Sequence, residues 1–119
     1  MNATRQVSVF EYLYRDAGNW KVWGQLLLQG EATTNQISLL CANFESGQFF
    51  VAERLGIPPL FEKFRAKYGG PTQDDHCWHE FAALRPATQM EISHGSIWST
   101  IESFIKCANS IGTWEHIPG

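Results

Sequence analysis

Two stretches near the start of the chain are rich in β-branched and aromatic residues, and a short polar segment separates them. The first runs from Val7 to Arg15 and the second from Trp20 to Gln29. The segment Asp16 to Asn19 favours a turn, because Asp and Asn bond their own backbone and Gly tolerates a positive φ. The pattern predicts a β-hairpin closed by this four-residue loop.

The first predicted strand is apolar on both of its faces. Its large side chains are Val7, Val9 and Leu13 on one face and Phe10, Tyr12 and Tyr14 on the other. A strand of this kind is either central in its sheet or packed against a partner. If helices cover only one face, the surplus aromatic side chains are expected on the open one.

Helical spacing of apolar residues predicts three helices further along the chain. Thr33 or Thr34 caps the first helix, which ends at Ser46 and Gly47. The second follows the rigid turn Gly56 to Pro59 and stops before Gly69 to Pro71. Ser96 caps the third, whose apolar face is formed by Ile97, Trp98, Ile101, Phe104, Ile105 and Ala108.

Strands are also predicted over Gln48 to Arg54 and over His76 to Arg85, where Pro86 closes the run. The predicted order is β-β-α-β-α-β-α. Since the chain has 119 residues, it is expected to form one α+β domain over residues 1–119. That domain should contain a mixed, largely antiparallel sheet with helices on one face.

Composition narrows the class of protein further. Hydrophobic residues make up 44% of the chain, which argues against disorder. A net charge of −3 with no basic run argues against a dedicated nucleic-acid binder or a polybasic membrane-surface protein. No apolar run reaches the roughly 18 residues of a membrane span. Three widely spaced cysteines, Cys41, Cys77 and Cys107, fit reduced thiols and predict a cytoplasmic location.

The densest polar cluster runs from Asp74 to Glu80 and contains ligand types that metals use. On a strand, His76 and Glu80 share a face, while Cys77 and His79 point the other way. The spacing matches no zinc signature, so no metal and no cofactor is predicted. Cys77 beside His79 is an arrangement that cysteine hydrolases use, but a buried, inert thiol fits it as well.

Glu11 is the other candidate for chemistry, because it lies on an otherwise apolar strand face. Such an acid can have a raised pKa and act as a general base. The alternative, which we favour, is an edge-strand charge that prevents aggregation. Together, Glu11, His76, His79 and Glu80 form the candidate catalytic set of a small hydrolase or metal-dependent enzyme.

Aromatic side chains of the hairpin form the candidate binding set: Tyr12, Tyr14, Trp20, Trp23 and, from a later strand, Trp78. Across the predicted hairpin, Tyr14 can approach Trp20, or Tyr12 can approach Trp23. Aromatic walls bind flat or cationic ligands. The alternative is ordinary cross-strand packing beneath a helix.

Three segments resemble parts of short bacterial proteins of unknown function, some of which travel on mobile, integron-type gene cassettes. These segments are Phe10 to Gly24, Gly56 to Leu60 and His76 to Phe81, about a fifth of the chain. The resemblance implies a bacterial, cytosolic origin and supplies neither an activity nor site residues.

Taken together, these patterns predict a small binding protein that uses an aromatic-rich sheet face for a partner protein or small ligand. A homodimer is expected, because symmetric pairing is the commonest way to cover an exposed apolar face. The alternative remains the small enzyme centred on the His76 to Glu80 segment.

Overall fold

The computed structural model describes residues 6–15, 18–69 and 78–111. They form a five-stranded mixed sheet that curls into a half-barrel and carries several helices, which confirms the predicted α+β class. In chain order the elements are β1 Val7–Arg15, β2 Lys21–Gln29, α1 Thr34–Ala42, β3 Phe49–Val51, α2 Ala52–Leu55, α3 Phe61–Tyr68, β4 Trp78–Pro86, α4 Gln89–His94, β5 Ile97–Thr100 and α5 Ile101–Asn109.

Strand β1 lies at the centre of the sheet, whose strand order is β3-β4-β1-β2-β5. It pairs antiparallel with β2 and with β4, and this confirms the predicted hairpin strands. The first half of the predicted turn, Asp16 and Ala17, lies outside the described residues. Strand β5 runs parallel to β2 and makes the sheet mixed. The central position of β1 explains why both of its faces are apolar.

The main core lies between one face of the sheet and helices α1, α2, α3 and α5. Phe10, Tyr12 and Tyr14 of β1 contribute to it together with apolar residues from each of these helices. Helix α4 lies on the opposite face, where Ile92 packs against Val9 and its neighbours in a smaller cluster. One helix therefore departs from the predicted one-sided arrangement, and it covers part of the face that was expected to stay open.

The largest difference from the predicted order is at the end of the chain. Residues Ile97–Thr100 form strand β5, and helix α5 begins at Ile101 rather than directly after Ser96. Thr100 caps α5 by accepting a hydrogen bond from the backbone N–H of Ser103 over 3.1 Å. The short helix α4, which the predicted order lacks, begins with a capping box between Thr88 and Glu91.

Two other predicted elements are shorter than expected. Strand β3 spans only Phe49–Val51, because the chain turns into the single-turn helix α2 at Ala52. Helix α1 ends at Ala42 rather than at Ser46 and Gly47. Its cap is Thr33, one of the two predicted residues, whose side chain forms a capping box with Gln36. None of the described helices is both long and apolar enough to cross a bilayer.

Candidate functional site

The five aromatic side chains predicted to bind a ligand do not share one surface. Tyr12 and Tyr14 lie in the main core, with 2% and 1% of their area exposed. Tyr12 donates a hydrogen bond of 2.7 Å to the carbonyl oxygen of Pro58, and burial raises its pKa to about 12. Tyr14 makes edge-to-face contacts with Phe61 and Phe64 of α3. Tyr14 therefore holds α3 onto the sheet, and Tyr12 holds the segment that precedes α3.

The three tryptophans of the set lie nearer the surface. Trp20 is 58% exposed and Trp23 is 48% exposed, while Trp78 is half-buried against the main core. The predicted contact between Tyr12 and Trp23 is wrong, because the register places Tyr12 opposite Gly24 and Trp23 opposite Leu13. Side chains at odd positions of β2 consequently point away from the tyrosines, and Trp23 lies on the opposite face of the sheet.

His79, from the alternative catalytic set, is fully buried in the main core. Its Nε2 accepts a hydrogen bond of 3.0 Å from the backbone N–H of Leu60, so this nitrogen carries no proton. The ring also lies 5.1 Å from that of Phe61 and 5.3 Å from that of Tyr14, measured between centroids. This imidazole fixes the start of α3 against β4.

Glu80 lies on the other face of β4 and forms an ion pair. The Nε and Nη2 atoms of Arg15 lie 2.9 and 3.3 Å from its two carboxylate oxygens. Gln48 donates a further hydrogen bond of 3.2 Å to Oε1 of Glu80. His76 and Cys77 lie outside the described residues. Since His79 and Glu80 point to opposite faces, the described members of the set do not meet at one point.

Glu11 lies in the central strand, so its interpretation as an edge-strand charge is wrong. The alternative of a raised pKa is not met either, because a hydrogen bond from Arg85 lowers the pKa of Glu11 more than burial raises it. Arg85 Nη2 lies 3.2 Å from Glu11 Oε2 and 2.7 Å from Glu91 Oε2. Gln25 adds a hydrogen bond of 3.1 Å to Glu11. The carboxylate is thus held ionised in a network beneath α4.

Within the described ranges, no group of three or more His, Cys, Asp or Glu side chains is positioned to hold a metal ion. Cys41 and Cys107 are free thiols, and Cys77 lies outside the described residues. Burial raises the pKa of Cys41. The Sγ atom of Cys107 lies 3.6 Å from the carbonyl oxygen of Leu55, which accepts its weak hydrogen bond.

A different feature stands out along β2. Strand β5 pairs only with Leu27–Gln29, so within the described part of the chain the segment Lys21–Leu26 has no strand neighbour on that side. Three hollows follow this segment and share lining residues, because Trp23 and Lys63 line two of them and Gln25 lines two. We call the three hollows together the β2 groove.

The largest hollow of the β2 groove has a volume of about 750 Å³ and lies between β2, α4 and the start of β5. Its apolar wall contains Leu27, Pro58, Met90 and Trp98. Met90 is 71% exposed and Trp98 is 47% exposed. Gly95 lets the end of α4 approach the side chain of Leu27 closely, since a Cβ atom there would collide with it. We call this hollow the apolar hollow.

The hollow at the other end has a volume of about 450 Å³ and is lined by Lys21, Val22, Trp23, Lys63, Ala66 and Lys67. We call it the lysine hollow. Helix α3 covers the adjacent strand edge: Tyr68 donates a hydrogen bond of 3.1 Å to the carbonyl oxygen of Lys21, and Lys63 donates one to that of Trp23. A middle hollow of about 350 Å³, lined partly by Gly24 and Gln25, joins the two ends.

The network around Arg85 positions α4, which forms one wall of the β2 groove. Arg85 binds both oxygens of Glu91, at 2.9 and 2.7 Å, and a hydrogen bond from this guanidinium lowers the pKa of Glu91 to about 2. Glu91 Oε1 also accepts the backbone N–H of Thr88 over 2.8 Å. Glu91 therefore ties the first turn of α4 to the sheet.

Sequence reasoning did not identify the apolar hollow, because Trp98 was assigned to the buried face of a helix. One signal in the sequence was available: Thr88 is followed three residues later by Glu91, the spacing of a capping box. No protein-family model matches the chain, and the searches of curated proteins and of solved structures find no match either.

Proposed function

We propose that this protein is a small binding protein and that the β2 groove receives an extended segment of a partner protein. The observation that carries this proposal is the apolar hollow, where exposed Met90 and Trp98 surround a volume of about 750 Å³. Single exposed apolar residues are ordinary, but several that converge on a concave surface are typical of recognition sites.

The length of the β2 groove favours a peptide over a compact ligand. From Lys21 to Leu27 the strand covers about 20 Å, the reach of about six extended residues. Because Tyr68 and Lys63 already bond the outward carbonyl oxygens of Lys21 and Trp23, side chains rather than added main-chain pairing would supply recognition at that end.

A selection from displayed random peptides of about eight residues tests this proposal. Synthetic copies of the selected peptides would be titrated calorimetrically into the wild type, Trp98→Ala and Leu39→Ala. Leu39 is a matched control, because it is 52% exposed but belongs to helix α1 and does not line the groove. We expect Trp98→Ala to weaken binding about tenfold or more, as for an interface anchor. Equal weakening by both variants, or by neither, would overturn the proposal.

The enzyme alternative receives less support from the described residues. His79 is enclosed by the main core, Glu80 is paired with Arg15, and Glu11 is paired with Arg85. The two ion pairs stabilise the fold. The carboxylates of Glu11 and Glu80 lie on the face of the sheet opposite to that of the His79 imidazole.

A bacterial cytoplasmic setting and a homodimer stay part of the proposal. The hairpin aromatic side chains do not supply the dimer interface, because Tyr12 and Tyr14 are core residues and Trp23 lines the β2 groove. Since the β2 groove is assigned to a partner, a dimer is expected to form elsewhere on the surface.

A further inference from the structure

We infer that the partner segment carries an acidic residue for the lysine hollow and, four residues away, a large apolar residue for the apolar hollow. This inference rests on the proposed function and names the chemistry of the partner. It comes from the uneven distribution of charge along the β2 groove.

The lysine hollow collects most of the lysines of the chain. The sequence contains four lysines, and Lys21, Lys63 and Lys67 line this one hollow while Lys106 lies on α5. The protein as a whole carries a net charge of −3, so this concentration of positive charge runs against its overall balance. Such a local field attracts an anionic group and orients it on approach.

The three ammonium groups have not been neutralised by described carboxylates. The ion pairs within the described ranges join Arg15 to Glu80 and Arg85 to two glutamates, and none involves a lysine. Lys63 donates to a backbone carbonyl oxygen, a contact that leaves its positive charge in place. The half-exposed ring of Trp23 forms an apolar wall beside these charges, which strengthens their interaction with a bound carboxylate.

Beyond the lysine hollow, the carboxylates of the β2 groove give a charge of the opposite sign. Glu11 lines the middle hollow and Glu91 lines the apolar hollow, and the two share the single guanidinium of Arg85. These three groups sum to one negative charge, which disfavours a second acidic residue there. The acidic residue of the partner is therefore placed at the lysine end, and the apolar residue at the Met90 and Trp98 end.

The strand itself sets the spacing between the two contacts. Trp23 and Leu27 are four positions apart on β2 and point to the same face. This separation corresponds to about 13 Å along an extended chain. A partner segment that follows β2 consequently presents its acidic and apolar side chains four residues apart and on one side.

A polyanion such as single-stranded nucleic acid is the less favoured occupant. It would carry negative charge along its whole length, past Glu11 and Glu91, and would meet only three lysines. Strong nucleic-acid binding usually depends on several phosphate contacts along a positively charged surface. The asymmetry of charge thus favours a peptide with one acidic end.

The test uses three synthetic peptides that have a tryptophan four residues from a glutamate, a glutamine or a lysine, each made in both chain orders. Binding to the full chain would be measured by calorimetry at low and at high NaCl. We expect affinity to fall in the order glutamate, glutamine, lysine, with about fivefold between the first two, and the difference to shrink at high salt.

Two charge-reversal variants complete the test, one inside the lysine hollow and a matched control outside it. Lys67→Glu should remove the preference for the glutamate peptide and weaken its binding about tenfold, whereas Lys106→Glu should change neither. Both lysines are exposed, and thermal unfolding would confirm that both variants fold. Equal loss with the two variants would mean that general charge rather than the lysine hollow is responsible, and would overturn the inference.

The outcomes distinguish a failure of the inferred partner chemistry from a failure of the proposed peptide binding. If the glutamate and glutamine peptides bind equally and Trp98→Ala weakens both, the inference is wrong and the proposed function stands. If no peptide binds with a Kd below about 1 mM, the proposed function fails as well. If an oligothymidylate displaces the glutamate peptide at equal concentration, the site is a general polyanion site and the inference is wrong.

Discussion

Replacing Tyr12 with Ala is expected to destabilise the protein by about 3–5 kcal/mol, because the ring is deleted from a packed core. Tyr12 is 2% exposed, and its ring centroid lies 5.6 Å from that of Phe10 and 6.1 Å from those of Phe50 and His79. A domain of this size has a total free energy of unfolding of about 5–15 kcal/mol. The substitution therefore removes a large share of the stability, or all of it.

The substitution Tyr12→Phe measures the contribution of the hydroxyl group to stability separately from that of the ring. The hydroxyl donates to the carbonyl oxygen of Pro58 over 2.7 Å, and Pro58 is exposed, so water can replace the lost donor. We expect a cost of about 0.5–1.5 kcal/mol. Since Pro58 also lines the apolar hollow, Tyr12→Phe should loosen that wall and weaken peptide binding modestly.

The assay is equilibrium urea unfolding followed by far-ultraviolet circular dichroism, with Trp20→Ala as the control. Trp20 is 58% exposed and its ring packs against Tyr68, so its removal should cost less than about 1 kcal/mol. If Tyr12→Ala were no more destabilising than Trp20→Ala, the assignment of Tyr12 to the core would be refuted.

Three further predictions concern charge, close packing and self-association. The pKa of Glu91 is lowered from 4.5 to about 2 by Arg85, so the ionised pair stabilises the fold above about pH 4.5 and this contribution is lost as pH falls towards 2. Acid unfolding of Glu91→Gln, which keeps an acceptor for the cap of α4, should show a shallower pH dependence in this window; an unchanged profile would contradict the pairing. Gly24→Ala would place a Cβ atom 2.9 Å from side-chain atoms of both Leu60 and Tyr12, and should destabilise by about 1–2 kcal/mol in urea unfolding, whereas equal or greater stability would contradict this packing. Sedimentation of Trp23→Ala should give the same oligomeric state as the wild type, and a dimer lost in this variant would assign the β2 groove to a second copy.

Local signals in the sequence were sufficient for the elements whose ends are set by their own residues. The cap at Thr33 and the stop at Gly69 act within a few residues, and the start of α1 and the end of α3 agree with the prediction. The strands on either side of the predicted turn, β1 and β2, agree as well. Apolar residues on both faces of β1 left two alternatives, a central strand or one packed against a partner, and the strand is central.

Strand β5 could not be predicted in the same way, because its pairing with β2 is not local. Ile97 and Trp98 lie at spacings that also suit the apolar face of α5, and a short apolar run does not distinguish strand from helix. Its parallel pairing with Leu27, which is 70 residues earlier in the chain, decides the outcome. Because a single helix was predicted from Ser96 onwards, the exposure of the Trp98 ring was not predicted.

The candidate site depended on register and on contacts distant in sequence. A pairing of Tyr12 with Gly24 rather than with Trp23 decides which rings are core and which are exposed, and composition carries no information on it. Arg85 and Glu11 meet although 74 positions separate them. A surplus of aromatic residues could therefore be predicted from the sequence, but the surface on which they act could not.

The most direct test of the central claim is to locate peptide binding on the protein by nuclear magnetic resonance. The ¹⁵N-labelled chain would be titrated with the peptide that has a glutamate four residues from a tryptophan. We expect the largest shift changes on backbone amides of Lys21–Leu27 and on the indole N–H groups of Trp23 and Trp98, while the amide of Leu39 stays unchanged. Changes centred on α1, or none at about millimolar peptide, would contradict the assignment of the β2 groove as the binding site.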